Sequence, residues 1–296
     1  MPHVSVVITT YNRSSLLPHA IESAKKAATD AEVIVVDDCS TDDTPDVCAK
    51  IADIRHIRLN ANRGLAHARN VGITESSSEF IAFLDDDDLR LPNSIDKQLR
   101  AISVNENIAL CYGQALIADA RRQLPTGEIY PLKCPQADIF WELLEDNFIP
   151  MPTVLARKSS LRAAGGFNTD LKLIEDWDLW LRLSEQFQVA AVTEPVAIHR
   201  KATAVSGQMC SNSAALLEQA MEVQRFALDR PRAQAATGKQ RRHVQRKFRN
   251  RVYDILMTEA TNSIHEGKPP RKSTKITNTV RIIFEFLVPF RGYRKL

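Results

Sequence analysis

Phe80-Ile81-Ala82-Phe83-Leu84-Asp85-Asp86-Asp87-Asp88 is the stretch on which the reading of this chain turns, five apolar residues closed by four carboxylates. A short apolar run of this kind predicts a strand buried on both faces, as in a parallel sheet. Four like charges in a row repel one another unless they are solvated or bind a cation. The carboxyl ends of the strands in an open α/β sheet are also where such sheets place their ligands. Two readings follow. The run is either an oxygen-donor site for Mg²⁺ or Mn²⁺ beside a phosphorylated substrate, or an acidic turn capping a helix that starts near Leu91-Pro92.

Upstream of that stretch, strands and helices alternate. Val4 to Ile8, Glu32 to Val36 and Ile54 to Leu59 read as further strands, with helices over Ser14–Ala28, Asp43–Ile51 and Leu65–Thr74. Alternation of this kind implies βαβ units and a parallel sheet. The first strand runs into Thr9-Thr10-Tyr11-Asn12-Arg13 and the second into Asp37-Asp38-Cys39-Ser40-Thr41-Asp42, so polar clusters gather on one sheet edge. No Gly-x-Gly-x-x-Gly and no Walker lysine motif occurs, which argues against a dinucleotide fold or a P-loop. Downstream, Ala109–Ile117 and Val154–Arg157 read as strands, 124–135 as turn-rich, and Ile139–Asn147, Ser160–Ala164 and Glu175–Gln186 as helices. From about Ser211 the pattern becomes long and helical, over Ala214–Leu228 and Lys239–Ser263.

The 296 residues exceed the common single-domain size, and a net charge of +3 hides a strong asymmetry. Residues 1–220 hold 21 Lys and Arg against 30 Asp and Glu, a net of −9, whereas residues 221–296 hold 18 against 6, a net of +12. The basic end predicts an anionic partner. Its Lys- and Arg-rich segment 239–251 lacks interleaved aromatics, so nucleic acid is not expected. Five scattered cysteines without a Cys-x-x-Cys pair indicate neither a disulfide framework nor a zinc site. No basic n-region precedes the first strand and no apolar run reaches 18 residues, so a cytoplasmic protein without a spanning helix is expected. The apolar stretch Val280–Phe290, flanked by Arg281, Arg291, Arg294 and Lys295, suits either contact with an anionic membrane surface or docking on protein, a second copy included.

Four segments together resemble the N-terminal half of family 2 glycosyltransferases: Val-Ile-Thr-Thr-Tyr-Asn-Arg at 7–13, Val-Val-Asp-Asp-Cys-Ser-Thr-Asp at 35–42, Asn62-Arg63-Gly64-Leu65 leading to Ala68-Arg69-Asn70-x-Gly72, and Phe-Leu-Asp-Asp-Asp-Asp at 83–88. The likeness extends over roughly residues 3–205. It implies a GT-A fold, a mostly parallel sheet flanked by helices, in a catalytic domain over 1–210. Residues 1–100 form the nucleotide-sugar half, 101–210 the acceptor half, and 211–296 a basic helical extension. It implies Thr9, Tyr11, Arg13, Asp37, Asp38, Arg69 and Asp86 at the nucleotide, and Asp85-x-Asp87 as the DxD motif that binds Mn²⁺ or Mg²⁺, with Asp86 open to either role. Gly165-Gly166-Phe167 followed by Glu175-Asp176 matches the family's acceptor half. That match implies Asp176 as catalytic base and Glu175, Trp177 and Trp180 around the sugar. The family's usual histidine slot falls on Ala202, so His199 is the substitute metal ligand, or Arg200 and Lys201 neutralise the diphosphate directly.

The activity implied is inverting transfer from a nucleoside-diphosphate sugar, a UDP-sugar foremost, to a glycan or lipid-linked acceptor in cell-surface polysaccharide or lipopolysaccharide synthesis. Peripheral contact with the inner face of the plasma membrane and homo-oligomers accompany it as expectations. Two other classes stand beside it. A phosphohydrolase would use Asp85 as nucleophile, though its Asp-x-Asp belongs on the first strand and not the fourth. A nucleotide-sugar-binding module would bind without turnover.

Overall fold

A computed structural model describes residues 4–119, 125–200 and 213–265, with the side chains of 213–214 and 256–265 left aside. Three of the expected segments, the loop around 121–124, residues 201–212 with Lys201 and Ala202, and the apolar stretch 280–290, lie outside the described residues. The chain divides into two compact units. One comprises residues 1–143 with 147–211, the other 144–146 with 212–296.

The first unit begins with β1 (Val4–Thr10), α1 (Leu17–Ala27), β2 (Ala31–Asp37), α2 (Thr44–Lys50), β3 (Arg55–Arg58), α3 (Leu65–Glu75) and β4 (Phe80–Asp85). It continues with β5 (Leu89–Arg90), α4 (Ser94–Ile102), β6 (Ile108–Ala118), β7 (Pro125–Tyr130) and α5 (Phe140–Leu143). A 3-10 turn at Met151–Thr153 leads into β8 (Leu155–Arg157), α6 (Lys158–Ala163), α7 (Glu175–Gln186) and β9 (Gln188–Arg200). The nine strands form one sheet in the order β3-β2-β1-β4-β8-β6-β9-β5, with β7 hairpinned onto β6.

The sheet is mixed. Strands β3, β2, β1 and β4 are parallel throughout, β8 runs antiparallel to both β4 and β6, and β6 and β9 are parallel. The parallel strands are apolar on both faces because helices cover both. Val4, Val6 and Ile8 of β1 join Val33, Val35, Phe80, Ala82 and Leu84 in one core with Leu17, Ile21 and Ala24 of α1 and Ile95 and Ile102 of α4. The alternate residues point to the opposite face, where Val7 lies so close to Gly72 of α3 that an added Cβ would meet its Cγ1 at 2.2 Å. Gly72 is therefore what lets α3 settle onto β1.

The order 3-2-1-4 places a switch point between β1 and β4, since the chain leaves β1 toward β2 and later returns to its other side. Crevices outside the carboxyl ends of strands at such a point are where ligands bind. Register pairs Thr9 with Asp85 there, and Thr10 with Asp37 on the other flank.

Two expectations need correction. The stretch read as turn-rich, 124–135, contains β7, whose exposed Thr126-Gly127-Glu128 hides the strand from hydropathy. The helix expected over Ile139–Asn147 shrinks to Phe140–Leu143; only Phe140 and Leu143 within it are buried.

The second unit holds α8 (Ser213–Leu228), α9 (Pro231–Gln234) and α10 (Gly238–His265). Val244, Phe248 and Val252, four residues apart, form the buried stripe of α10, while Arg242, Arg246, Lys247 and Arg251 are exposed. No helix of the described residues is long and apolar enough to cross a membrane.

Candidate active site

The four aspartates at the end of β4 have four different fates. Asp85 accepts from Nη2 of Arg69 at 2.7 Å and from the Thr9 hydroxyl at 3.5 Å, both through Oδ1. Asp86 is buried and accepts from the Thr10 hydroxyl at 2.7 Å; burial and then the neighbouring Asp87 charge push its pKa up to about 7. Asp87 lies between two guanidinium groups, Arg13 Nη1 at 2.7 Å and Arg200 Nη2 at 2.9 Å. Burial works against its charge, yet those two arginines win and hold its carboxyl below the ordinary value. Asp88 takes the backbone N–H of Arg200 at 2.8 Å and lies 3.0 Å from Nδ1 of His199. Burial would discharge that imidazole, but Asp88 outweighs it and raises the His199 pKa to about 9.

This arrangement separates the roles anticipated for the run. His199 turns Nδ1 to Asp88, the kind of carboxylate contact that orients a metal-ligating imidazole, and its side chain is 40% exposed, so Nε2 stays open to a cation. The oxygen donors that remain are those of a hard cation, because Mg²⁺ and Mn²⁺ commonly take one or two carboxylates and complete their shells with substrate phosphate and water. Asp85 has no partner on Oδ2 and its side chain is 26% exposed. Among the described residues no three His, Cys, Asp or Glu side chains converge into a ready-made cage. The donor set thus suits a cation shared with substrate.

The loop after β1 is clamped to the loop after β2. Asn12, at φ +53°, accepts the Thr41 N–H on its side-chain oxygen at 2.7 Å and donates its own N–H to the Ser40 hydroxyl at 2.9 Å. Tyr11 is left 44% exposed. Asp37 is fully buried: Oδ1 takes the Ser40 N–H at 2.8 Å, and Oδ2 lies 3.8 Å from His56 Nε2 and 3.7 Å from Arg58 Nε. Asp38 caps the turn before α3, one oxygen on the N–H of Arg63 and the other on that of Gly64, each at 2.8 Å. Both aspartates thus shape the loops around Tyr11, and each still has lone pairs to offer.

Arg69 joins the two halves of the site. Its guanidinium, 3% exposed, pairs with Asp85 on one side and Glu175 on the other, and lies over the Phe167 ring at 5.5 Å. Asn70, the next residue of α3, makes a reciprocal pair with the backbone of Phe167, 2.8 Å in each direction. Gly166, at φ +71°, permits that approach; a Cβ there would meet Asn70 Oδ1 at 2.6 Å. Phe167 in turn stacks edge-on against Phe83 at 5.2 Å and Trp180 at 6.3 Å. Trp177 and Trp180 are both buried, the former donating Nε1–H to the Leu143 carbonyl at 2.7 Å. Both rings therefore belong to the core beneath α7.

Asp176 stands in the first turn of α7. Oδ1 accepts the Trp177 N–H at 2.6 Å and Oδ2 faces Nδ2 of Asn147 at 3.4 Å. A helix N-terminus favours a charged carboxylate. Here burial, reinforced by the Glu175 charge, outweighs that dipole along with Arg69 and the two N–H donors, and the pKa rises to about 7. A carboxylate with such a pKa is a proton acceptor matched to neutral pH. Two polar atoms beside it are buried without partners, Glu175 Oε2 and Asn147 Oδ1. Asn147 was not singled out by the sequence, for it lies 29 residues from Asp176 in a loop with no motif.

The chain matches the family model described as Glycosyl transferase family 2 over residues 5–163. An uncharacterized glycosyltransferase of Haemophilus influenzae is 30% identical over 209 residues, 69% of this chain and 71% of that protein. The succinoglycan biosynthesis protein ExoO of Rhizobium meliloti is 34% identical over 190 residues, 60% of this chain but only 55% of its own length. The UDP-Glc:alpha-D-GlcNAc-diphosphoundecaprenol beta-1,3-glucosyltransferase WfgD of Escherichia coli is 28% identical over 193 residues, 64% of this chain and 72% of its own. Among solved structures, residues 1–349 of Staphylococcus aureus TarS in complex with UDP-GlcNAc superpose with a TM-score of 0.69 at 18% identity, covering 96% of this chain and 80% of that one. At that identity the likeness shows the GT-A fold.

Proposed function

The chain belongs to glycosyl transferase family 2, and from that premise we propose that it transfers a sugar, with inversion, from a nucleoside-diphosphate sugar to a hydroxyl of a glycan or lipid-linked acceptor. One observation carries the reading. A single buried guanidinium, Arg69, ties the aspartate run at Asp85 to Glu175, the neighbour of a carboxylate whose pKa is near 7. A group for a leaving phosphate and a group for an incoming hydroxyl are thereby held in one frame.

In this mechanism Tyr11 lies against the base, and Arg13 and Arg200 meet the diphosphate beside Asp87. Asp176 takes the proton of the acceptor hydroxyl as its oxygen attacks the anomeric carbon from the face opposite the leaving nucleoside diphosphate. One displacement from the opposite face inverts the centre. A divalent ion held by Asp85 and Asp87 would supply Lewis-acid neutralisation of the leaving group. Glu175 Oε2, buried and unpartnered, is placed to accept from a substrate hydroxyl. The UDP-GlcNAc bound to TarS and the diphosphoundecaprenol-linked acceptor in the name of WfgD support a UDP-sugar donor and a lipid-linked acceptor in cell-surface polysaccharide synthesis.

The test is a panel of nucleoside-diphosphate sugars incubated with Mn²⁺ or with chelator, reading release of nucleoside diphosphate. Turnover of one UDP-sugar, falling about tenfold or more on chelation, is the expected result. Release of phosphate from simple monoesters would favour the hydrolase instead, and binding without turnover would leave a non-catalytic module.

The exposed arginines and Lys247 of α10 extend the proposal to peripheral contact with an anionic membrane. Co-sedimentation with vesicles carrying anionic lipid should weaken as salt rises and drop when Arg242, Arg246 and Lys247 are neutralised together. Equal sedimentation with purely zwitterionic vesicles would sink it.

A further inference from the structure

Asn147 sits between α5 and the 3-10 turn, in a loop pinned on both sides. Its carbonyl oxygen accepts the hydroxyl of Tyr130 from β7 at 3.1 Å, and the following Phe148 ring leans on Tyr112 of β6 at a centroid distance of 6.0 Å. The backbone is therefore held whatever the amide does. The amide is directed at Asp176, with Nδ2 facing Oδ2 at 3.4 Å, and this orientation leaves Oδ1 buried with no partner. Buried polar groups are nearly always satisfied, and an exception calls for an explanation.

On the reading that Asp176 is the proton acceptor, we infer that Asn147 is a positioning residue for that proton transfer, its amide serving both protonation states of the carboxyl. While Asp176 is ionised, Nδ2–H donates to Oδ2. When the acceptor hydroxyl has given its proton to Oδ2, a half-turn of the amide about its terminal bond presents Oδ1 to accept from the new O–H. The proton moves from substrate to Asp176 and no bond to Asn147 is made or broken. The orphaned oxygen is thus the partner reserved for the second state.

The charges bearing on Asp176 come from three elements. Glu175 on the same helix disfavours its ionisation, Arg69 on α3 favours it, and Asp85 on β4 shares that arginine. Asn147 is the neutral contribution, from the loop. Its donor bond goes to a charged oxygen and its acceptor bond to a neutral acid, and charge-assisted bonds are the stronger. Removing the amide must therefore raise the Asp176 pKa.

Carbon-13 NMR of aspartate-labelled protein reads this without knowledge of the donor. The Asp176 carboxyl signal is assigned by its loss in Asp176→Asn and followed from about pH 5 to 9. Asn147→Leu should move the midpoint up by about half to one pH unit, the size of one modest hydrogen bond. Asn147→Asp, nearly isosteric, should move it further by adding a like charge. If both variants titrate with the wild type, or move down, the inference is overturned; a purely structural Asn147 would lower the thermal midpoint and leave the titration in place. Should Asn147→Leu not fold, Asn147→Ala, which also lacks the amide and adds no charge, carries the test. Failure here leaves the transferase reading standing, whereas an Asp176→Asn enzyme that still turns over would remove the reading itself.

Discussion

Asp176→Asn should abolish sugar transfer while making the protein more stable. Loss of a positioned general base lowers turnover by about 10² to 10⁴, and affinity for the nucleotide sugar should stay within about twofold because Tyr11, Arg13 and the aspartate run are untouched. Stability moves the other way because the folded-state pKa is raised to about 7. Below the unfolded value near 4 both states are protonated and the burden is absent. Between about pH 4 and 7 the unfolded chain releases this proton and the folded one retains it, so wild-type stability falls as pH rises, then stays level above. Asparagine has no proton to lose. At pH 8 the variant should gain about 2–3 kcal/mol, after allowing for its weaker bond to the Trp177 N–H, and at pH 4 almost nothing. The wild-type turnover should rise with pH through a limb near 7, opposite to its stability. Thermal melts across pH, paired with initial rates, check both halves. An Asn variant that is destabilised at pH 8 would show that Asp176 is not held against its burial.

Arg69→Met is the second large effect, and here stability and activity should fall together. Methionine fills similar volume but leaves Glu175 buried and Asp85 half-buried with their cation gone. Breaking a buried pair from one side costs about 3–5 kcal/mol, which in a chain of this size lowers the melting midpoint by about 6–12 °C. Adding Glu175→Gln should recover part of the loss, because the unpaired charge is then absent. A single variant melting within a degree of wild type at pH 8 would refute the role of Arg69 as the link between the two halves.

The parallel half of the sheet was legible because each of its buried strands is a short run apolar on both faces, such as Val33-Ile34-Val35-Val36 and Phe80 to Leu84. Helix α7 was legible to the residue, since Glu175-Asp176 opens an apolar pattern that ends at Gln186. The hairpin strand β7 was not, because an exposed edge strand carrying Thr-Gly-Glu has no hydrophobic alternation to read. Nor was the truncation of α5, where Glu145-Asp146-Asn147 leaves the helix for a loop.

Within the site the sequence by itself determined which groups are there. Covalent spacing puts the acidic run directly after a buried strand, a tyrosine after another, and a carboxylate pair at the head of a helix. Only the tertiary structure decided what each group is. Asp85 to Asp88 are four identical side chains in the sequence, yet Arg69, Thr10, the Arg13–Arg200 pair and His199 give them four different electrostatic surroundings. A helix N-terminus alone would hold Asp176 ionised, whereas burial beside Glu175 raises its pKa to about 7. The reason is physical: a carboxylate's proton affinity is set by its desolvation and by charges within a few ångströms, and those neighbours arrive from strands, loops and helices up to 113 residues apart.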